Sequence, residues 1–356
     1  MNSKKIVFFF LYTLFIIFFT VLSLEILLKF YFQSQKIPTD NKNNFRYMLY
    51  SEGKLFKSDK NFFKYYSNLN KRSLQFYYQN EKFIKIWDYN FPTNNFGLVQ
   101  STDIDPSKKS ILFLGDSFTE GLGAPPWVDS FNGNFLGYQT VNGGIAGTGF
   151  QQFENIYDHI KENYDIEKIV VLYIGGDVRR RVSLASTTKC LLDNKFCKDG
   201  FGVYSIPKDE SKINEFLKKK HQLRQNSKKT FKKKIKFLIR DTYTYNILRS
   251  QINNFRLTND KVIKNNLQSI EDLYNENKKK IIFINLKTVE EIILKKNTYE
   301  TELLKKFFIK KKIPNYKCDM NNDISNFHPI DFHPNRKGYN EIYLCVREIL
   351  ENYYNK

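Results

Sequence analysis

Residues 6–24, IVFFFLYTLFIIFFTVLSL, run for 19 positions without a charge, and this stretch limits the fold more than any other. About 20 apolar residues match the hydrocarbon thickness of a bilayer, and an isolated segment there can satisfy its own backbone only as a helix. A core helix of a soluble protein would show a polar face, and none is visible. A cleaved signal peptide would have a shorter apolar core and a small-residue cleavage site, which are also missing. The reading is a retained N-terminal transmembrane anchor over residues 1–33. Lys4 and Lys5 before the run are matched by Lys29 and Lys36 after it, so charge alone does not orient it.

The remaining chain of this 356-residue protein, 41% hydrophobic overall, can fill a sizeable core. Its formal net charge of +20 would suit nucleic acid, an anionic membrane surface or an acidic polysaccharide. Lysine and asparagine are abundant everywhere, however, and no helix-turn-helix, finger or RNA-binding motif accompanies the charge, so nucleic acid is not an expected partner. Cys190 and Cys197 bracket CLLDNKFC and are expected to form a disulfide, with buried thiols as the alternative. Cys318 and Cys345 lie near the C-terminus. This usage is compatible with an oxidising compartment. Neither pair has C-x2-C spacing and no histidine lies near the first, so no metal is expected.

After the anchor, residues 34–108 are rich in Asn, Lys, Tyr and Phe with weak periodicity, which reads as a stalk or irregular cap. Strand patterns follow at 111–115, 138–141, 169–175 and 280–286, with helical patterns at 151–163 and 261–277 between them. That alternation implies a parallel sheet with helices on both faces. Residues 179–258 interrupt it as an insertion too long for a connection. Within it, Phe231, Ile235 and Leu238 stand at helical spacing among lysines, an amphipathic pattern that an ordinary packed helix or a lipid-facing one would share. The chain closes on a helical pattern at 335–353. The main domain thus spans 109–356.

The run ILFLGDSFTEGLGA, residues 111–124, puts Ser117 just past the carboxyl end of a strand, where open α/β sheets hold their ligands. A serine hydroxyl needs a base within hydrogen-bond reach and a third group to orient that base. His159 and His221 lie in charged surroundings unsuited to a neutral base. His328 and His333 fall in FHPIDFHPNRKGY, where Asp331 precedes His333 by two residues and can fix its tautomer. Pro334 and Asn335 would then rigidify the loop and cap the last helix. The turn VNGGIAGTG at 141–149 offers backbone N–H groups for an oxyanion. It has neither G-x-G-x-x-G nor a P-loop lysine, so no cofactor is expected.

Gly115-Asp116-Ser117-Phe118, Asn142-x-Gly144 and Asp331-x-His333-Pro334-Asn335, in that order, resemble the first, second and last blocks of the SGNH (GDSL-type) hydrolases over roughly residues 90–350. With TNNFGL at 93–98 ahead of the first block, the closest likeness is the membrane-anchored bacterial envelope subgroup. The resemblance implies a flavodoxin-like three-layer α/β/α fold and ester chemistry. Ser117 would be the nucleophile, His333 the base and Asp331 its orienting group. The N–H groups of Ser117 and Gly144 would bind the oxyanion. The family's third block presents an Asn side chain to the same oxygen, but here YIGGDVRRR places Gly176 or Asp177 at that position. Losing one such donor costs on the order of 10²–10³ in kcat, unless Arg179 or Arg180 replaces it.

These readings define a membrane-tethered serine esterase whose soluble domain lies outside the cytoplasm. Its partner would be an acyl ester on an envelope polysaccharide or lipid. An O-acetyltransferase using the same acyl-enzyme is one alternative. A catalytically weak glycan-binding module is the other.

Overall fold

The computed structural model describes residues 3–34, 45–180 apart from 54, 60 and 61, 203–226, 242, 244, 245 and 260–354. The expected disulfide at Cys190 and Cys197 and the Lys-rich helix around residues 231–238 lie outside the described residues. The chain divides into a unit of residues 1–43 with 225–258 and a unit of residues 44–224 with 259–356.

In the first unit, α1 (Ser3–Ser34) carries no charge between residues 6 and 24 and shows no polar face there. Its stretch Phe8–Phe30 has a mean hydropathy of 2.3 over 23 residues and none of it is buried. By length and composition it can cross a membrane.

The second unit is built on two sheets. One combines β1 (Phe45–Tyr50), β4 (Asn70–Gln79) and β5 (Lys82–Pro92) in an antiparallel array, with β10 (Val203–Ser205) added parallel to β1, in the order β10-β1-β4-β5. The hairpin of β2 (Phe56–Asp59) and β3 (Phe62–Tyr65) forms a two-stranded sheet of its own.

The other sheet contains β6 (Ser110–Gly115), β7 (Asn134–Phe135), β8 (Tyr138–Gly144), β9 (Ile166–Tyr173), β11 (Ile281–Leu286) and β12 (Asn315–Cys318), ordered β12-β11-β9-β6-β8-β7. All its pairings are parallel except that of the short β7. Leaving β7 aside and renumbering from β6, the order is 2-1-3-4-5, the flavodoxin-like doubly wound arrangement. Between the strands run α2 (Ser117–Glu120), α3 (Phe150–Lys161), α4 (Ile213–Asn226), α5 (Lys261–Glu276), α6 (Val289–Leu294) and α7 (Tyr299–Lys311), and α8 (Arg336–Tyr354) ends the chain. Both faces of the sheet are covered, as parallel strands require. Ile111, Phe113, Val170, Leu172, Ile282 and Ile284 share a core with Tyr339, Ile342, Val346 and Leu350 of α8. On the opposite face Tyr173 packs against Phe150 of α3 and Phe308 of α7. The fold is therefore the three-layer α/β/α sandwich expected.

Residues 45–92 depart from the irregular stalk expected. They form strands and belong to the same unit as the parallel sheet. Their aromatic-rich pattern is a two-sided one. Leu74, Phe76 and Tyr78 share a core with Tyr47, Leu49 and Leu217 of α4, so part of the 179–258 insertion returns to cover this sheet. A disulfide joins Cys318 on β12 to Cys345 on α8 across a separation of 27 residues.

Candidate active site

Gly115 ends β6 because a Cβ there would lie 1.9 Å from Thr119 Oγ1 and 2.5 Å from the Leu172 carbonyl oxygen. The chain then turns into α2, where the Phe118 N–H donates to Asp116 Oδ1 at 2.9 Å. This cap sets the turn that presents Ser117. The hydroxyl sits at the point between β6 and β9 where the strand order reverses, the position doubly wound sheets use for ligands.

The tail of the chain supplies the imidazole. His328 N–H donates to the His333 carbonyl oxygen at 2.9 Å, and Phe332 N–H donates to that of His328 at 3.1 Å, closing a tight loop. Phe332 adopts a left-handed φ of 65° while its ring packs on the core beneath. Asn335 Oδ1 accepts from the N–H groups of Lys337 and Gly338, capping α8. The loop places His333 Nε2 2.9 Å from Ser117 Oγ. Its Nδ1 hydrogen-bonds Asp331 Oδ1. The three side chains named from the sequence thus meet across 216 positions, in the order hydroxyl, imidazole and carboxylate.

Asp331 has only 2% of its side chain exposed. Burial alone would raise its pKa, but His333 and the hydrogen bonds around it win, and the carboxyl is held well below its ordinary range. Gln75 Nε2 donates to Oδ2 at 2.6 Å and Tyr77 Oη at 2.9 Å. Both come from β4, which the sequence blocks do not include. Phe118 and Trp87 pack their rings against His333, with centroids at 5.7 and 6.2 Å.

The proposed oxyanion donors fare differently. Gly144 N–H donates to Asn142 Oδ1 at 3.1 Å, and a Cβ on Gly144 would fall 2.3 Å from Glu120 N. Gly144 is therefore a packing glycine against α2, which corrects its assignment as an oxyanion donor. Asn142 itself is a staple, its Nδ2 donating to the Val99 carbonyl at 2.8 Å. In TNNFGL, Asn94 Oδ1 accepts from the N–H groups of residues 96, 97 and 98, so that segment is a folded turn leading to Val99. Gly147, with φ 79°, is the exposed residue of the turn.

Asp177 is also corrected: it is fully buried, accepts from Ile174 N–H at 3.0 Å and pairs with Arg180 at 2.8 Å. Burial and the nearby Asp116 push its pKa well up. Gly176 is exposed, and a Cβ there would meet nothing within 4 Å, so the space for a third-block side chain exists without one. Neither arginine fills it. Arg179 pairs with Glu300, while Arg180 Nη1 donates to Asp116 Oδ2 at 2.6 Å. Asp116 Oδ2 also accepts from Ser117 Oγ at 3.3 Å.

Two other histidines have different partners. His221 Nδ1 hydrogen-bonds the Tyr47 hydroxyl at 2.8 Å, under the antiparallel sheet. His328 packs against Trp87 with ring centroids 5.6 Å apart. Among the described residues no group of His, Cys, Asp and Glu could hold a metal ion.

A flavodoxin-like sheet carrying Gly-Asp-Ser after its first strand and Asp-x-His-Pro-Asn ahead of its last helix has the fold and the motif order of the SGNH (GDSL-type) hydrolases. No family model matches the sequence, and no curated protein matches it. Among solved structures the chain is similar to a lipase/acylhydrolase from Enterococcus faecalis, at 10% identity and a TM-score of 0.35 over 68% of this chain and 96% of that one. It is also similar to a GDSL-like lipase from Bacteroides thetaiotaomicron, at 13% identity and a TM-score of 0.33 over 70% and 92%. A catalytic mutant of an acetylxylan esterase from Geobacillus stearothermophilus follows at 12% and 0.32, over 71% and 96%.

Proposed function

We propose that this chain is a membrane-tethered serine esterase acting on acyl esters of an envelope polysaccharide or lipid. The observation that carries the reading is the 2.9 Å approach of His333 Nε2 to Ser117 Oγ, with Asp331 behind the imidazole. In this arrangement His333 takes the hydroxyl proton as Ser117 attacks the ester carbonyl. It then passes the proton to the leaving alcohol, and water releases the acyl group from Ser117 by the reverse sequence. The Ser117 N–H and the exposed turn at Gly147 are the oxyanion donors in this scheme. The open position at Gly176 favours slow turnover. The Cys318–Cys345 disulfide supports a soluble unit outside the reducing cytoplasm, with α1 as the tether.

The test is covalent labelling. A fluorophosphonate modifies the wild-type chain and leaves Ser117→Ala and His333→Ala unmodified, and the same variants lose p-nitrophenyl acetate hydrolysis. Equal labelling of wild type and Ser117→Ala overturns the reading.

A further inference from the structure

Strand β4 presents two unlike faces. Leu74, Phe76 and Tyr78 pack in the core that includes Leu217. The alternate positions are polar and buried or half-buried: Ser73 accepts from Trp87 Nε1 at 3.2 Å, while Gln75 and Tyr77 both reach Asp331 Oδ2. A polar face inside a protein is costly unless its groups are matched. Gln75 is fully buried, and among the described residues its Oε1 has no hydrogen-bond partner. A buried acceptor left unmatched is unfavourable. The amide is held in this orientation because the reverse one would set Oε1 against the carboxylate. The fold accepts an orphaned oxygen here, and keeps a donor on Asp331.

We infer that Gln75 and Tyr77 are positioning residues for the esterase reaction, fixing the carboxylate of Asp331 and through it the ring of His333. The antiparallel sheet is then part of the working site and not only a cover. This inference rests on the esterase reading above. Asp331 Oδ1 is taken by His333 and Oδ2 by the two donors from β4, so the carboxylate cannot rotate without breaking both sets. Burial pushes the Tyr77 hydroxyl upward in pKa, with Asp331 adding to it, so Tyr77 stays a donor. The other ionisable groups that interact with Asp331 include Arg46, His328, Tyr50 and Tyr339.

The experiment measures fluorophosphonate labelling of the detergent-solubilised full chain, separating the chemical rate constant from the binding constant across pH. Tyr77→Phe removes one oxygen and Gln75→Met keeps the side chain's volume. Each is expected to slow the chemical step about 10- to 100-fold, as loss of a hydrogen bond to a charged group does, with binding changed less than about twofold. The acid limb of the rate profile is expected to move to higher pH by roughly half a unit. A carboxylate with one donor fewer holds the imidazolium proton more tightly. An unchanged chemical rate and profile in Tyr77→Phe overturns the inference, as does a slower rate with an unshifted profile. Should Gln75→Met fail to fold, Tyr77→Phe alone decides. Failure of the underlying reading is distinguishable, because Ser117→Ala would then label as the wild type does.

Discussion

In the parallel sheet every residue of β6 and β11 is buried, whereas β4 of the antiparallel sheet divides into an apolar side under α4 and a polar side toward Asp331. In the proposed reading the two arrangements place function in different parts of a strand. A parallel sheet covered on both faces has only its strand ends free, and Ser117 stands at one. An antiparallel sheet can commit one face to packing and use the middle of a strand for chemistry. In the proposed reaction the catalytic group would draw on both: an alcohol from a strand end, a base from a loop, and the base's carboxylate held by a strand interior.

The sharpest way to break this comparison is at the junction. Asp331→Asn keeps the shape of the loop but cannot hold the imidazole in its working tautomer, so kcat is expected to fall by on the order of 10⁴, as in serine hydrolases generally. A loss below about tenfold in steady-state hydrolysis would mean that the antiparallel sheet supports nothing catalytic.

A second test concerns the parallel layer alone. Replacing Cys318 and Cys345 by Ala opens a 27-residue separation and is expected to cost roughly 3.5 kcal/mol. Chemical denaturation reads this directly. Because α8 follows the His333 loop, hydrolysis at low temperature should persist if the disulfide serves stability and not geometry.

The third test uses pH. Glu120 is buried, accepting from Tyr65 Oη at 2.9 Å and from Ala146 N–H at 2.5 Å. Burial pushes its pKa up from 4.5 to about 7. The folded chain therefore keeps a proton that the unfolded chain has released. The contribution is complete below the unfolded value of 4.5 and is lost as pH rises through about 7, a change of up to roughly 3 kcal/mol. Asp331 acts in the opposite sense: its stabilisation is present above 3.8 and lost as pH falls. Unfolding free energies at about pH 5 and about pH 8 should thus differ less in Glu120→Gln than in the wild type.

The smallest expected change is a gain. Gly176→Asn adds a side chain into open space at the third-block position, and a roughly tenfold rise in kcat is expected if its amide reaches the oxyanion. Steady-state kinetics at constant KM would show it. No rise would mean that the Ser117 and Gly147 backbone already meets the need.

Legibility in the sequence followed the same division. The apolar runs of β6, β9 and β11 and the periodicity of α3, α5 and α8 gave the parallel layer, because burial on both faces leaves an uninterrupted hydrophobic signal. Ser117, His333 and Asp331 were readable since each lies beside a turn or cap with its own chemistry. The edge strand β12, NYKC, escaped notice because only its last residue is buried. The strands of 45–92 read as irregular, although Ser73 to Tyr78 carries a period of two. Aromatic residues fall on both faces there and blur it. Gly144 reads as an oxyanion donor for a similar reason: a glycine needed for close packing and one needed for a free N–H look alike in sequence.

Phe332 lies between the two acidic and basic partners with a backbone shape that bulky residues seldom take, which costs on the order of 1–3 kcal/mol and is offset by the seating of its ring on the core. The direction in which the flanking side chains leave the chain is thereby governed by a hydrophobic anchor that performs no chemistry. A descendant of this protein could preserve every reactive group and still fall silent after a single exchange at that spacer, so an intact Asp-x-His signature is no guarantee of a living enzyme.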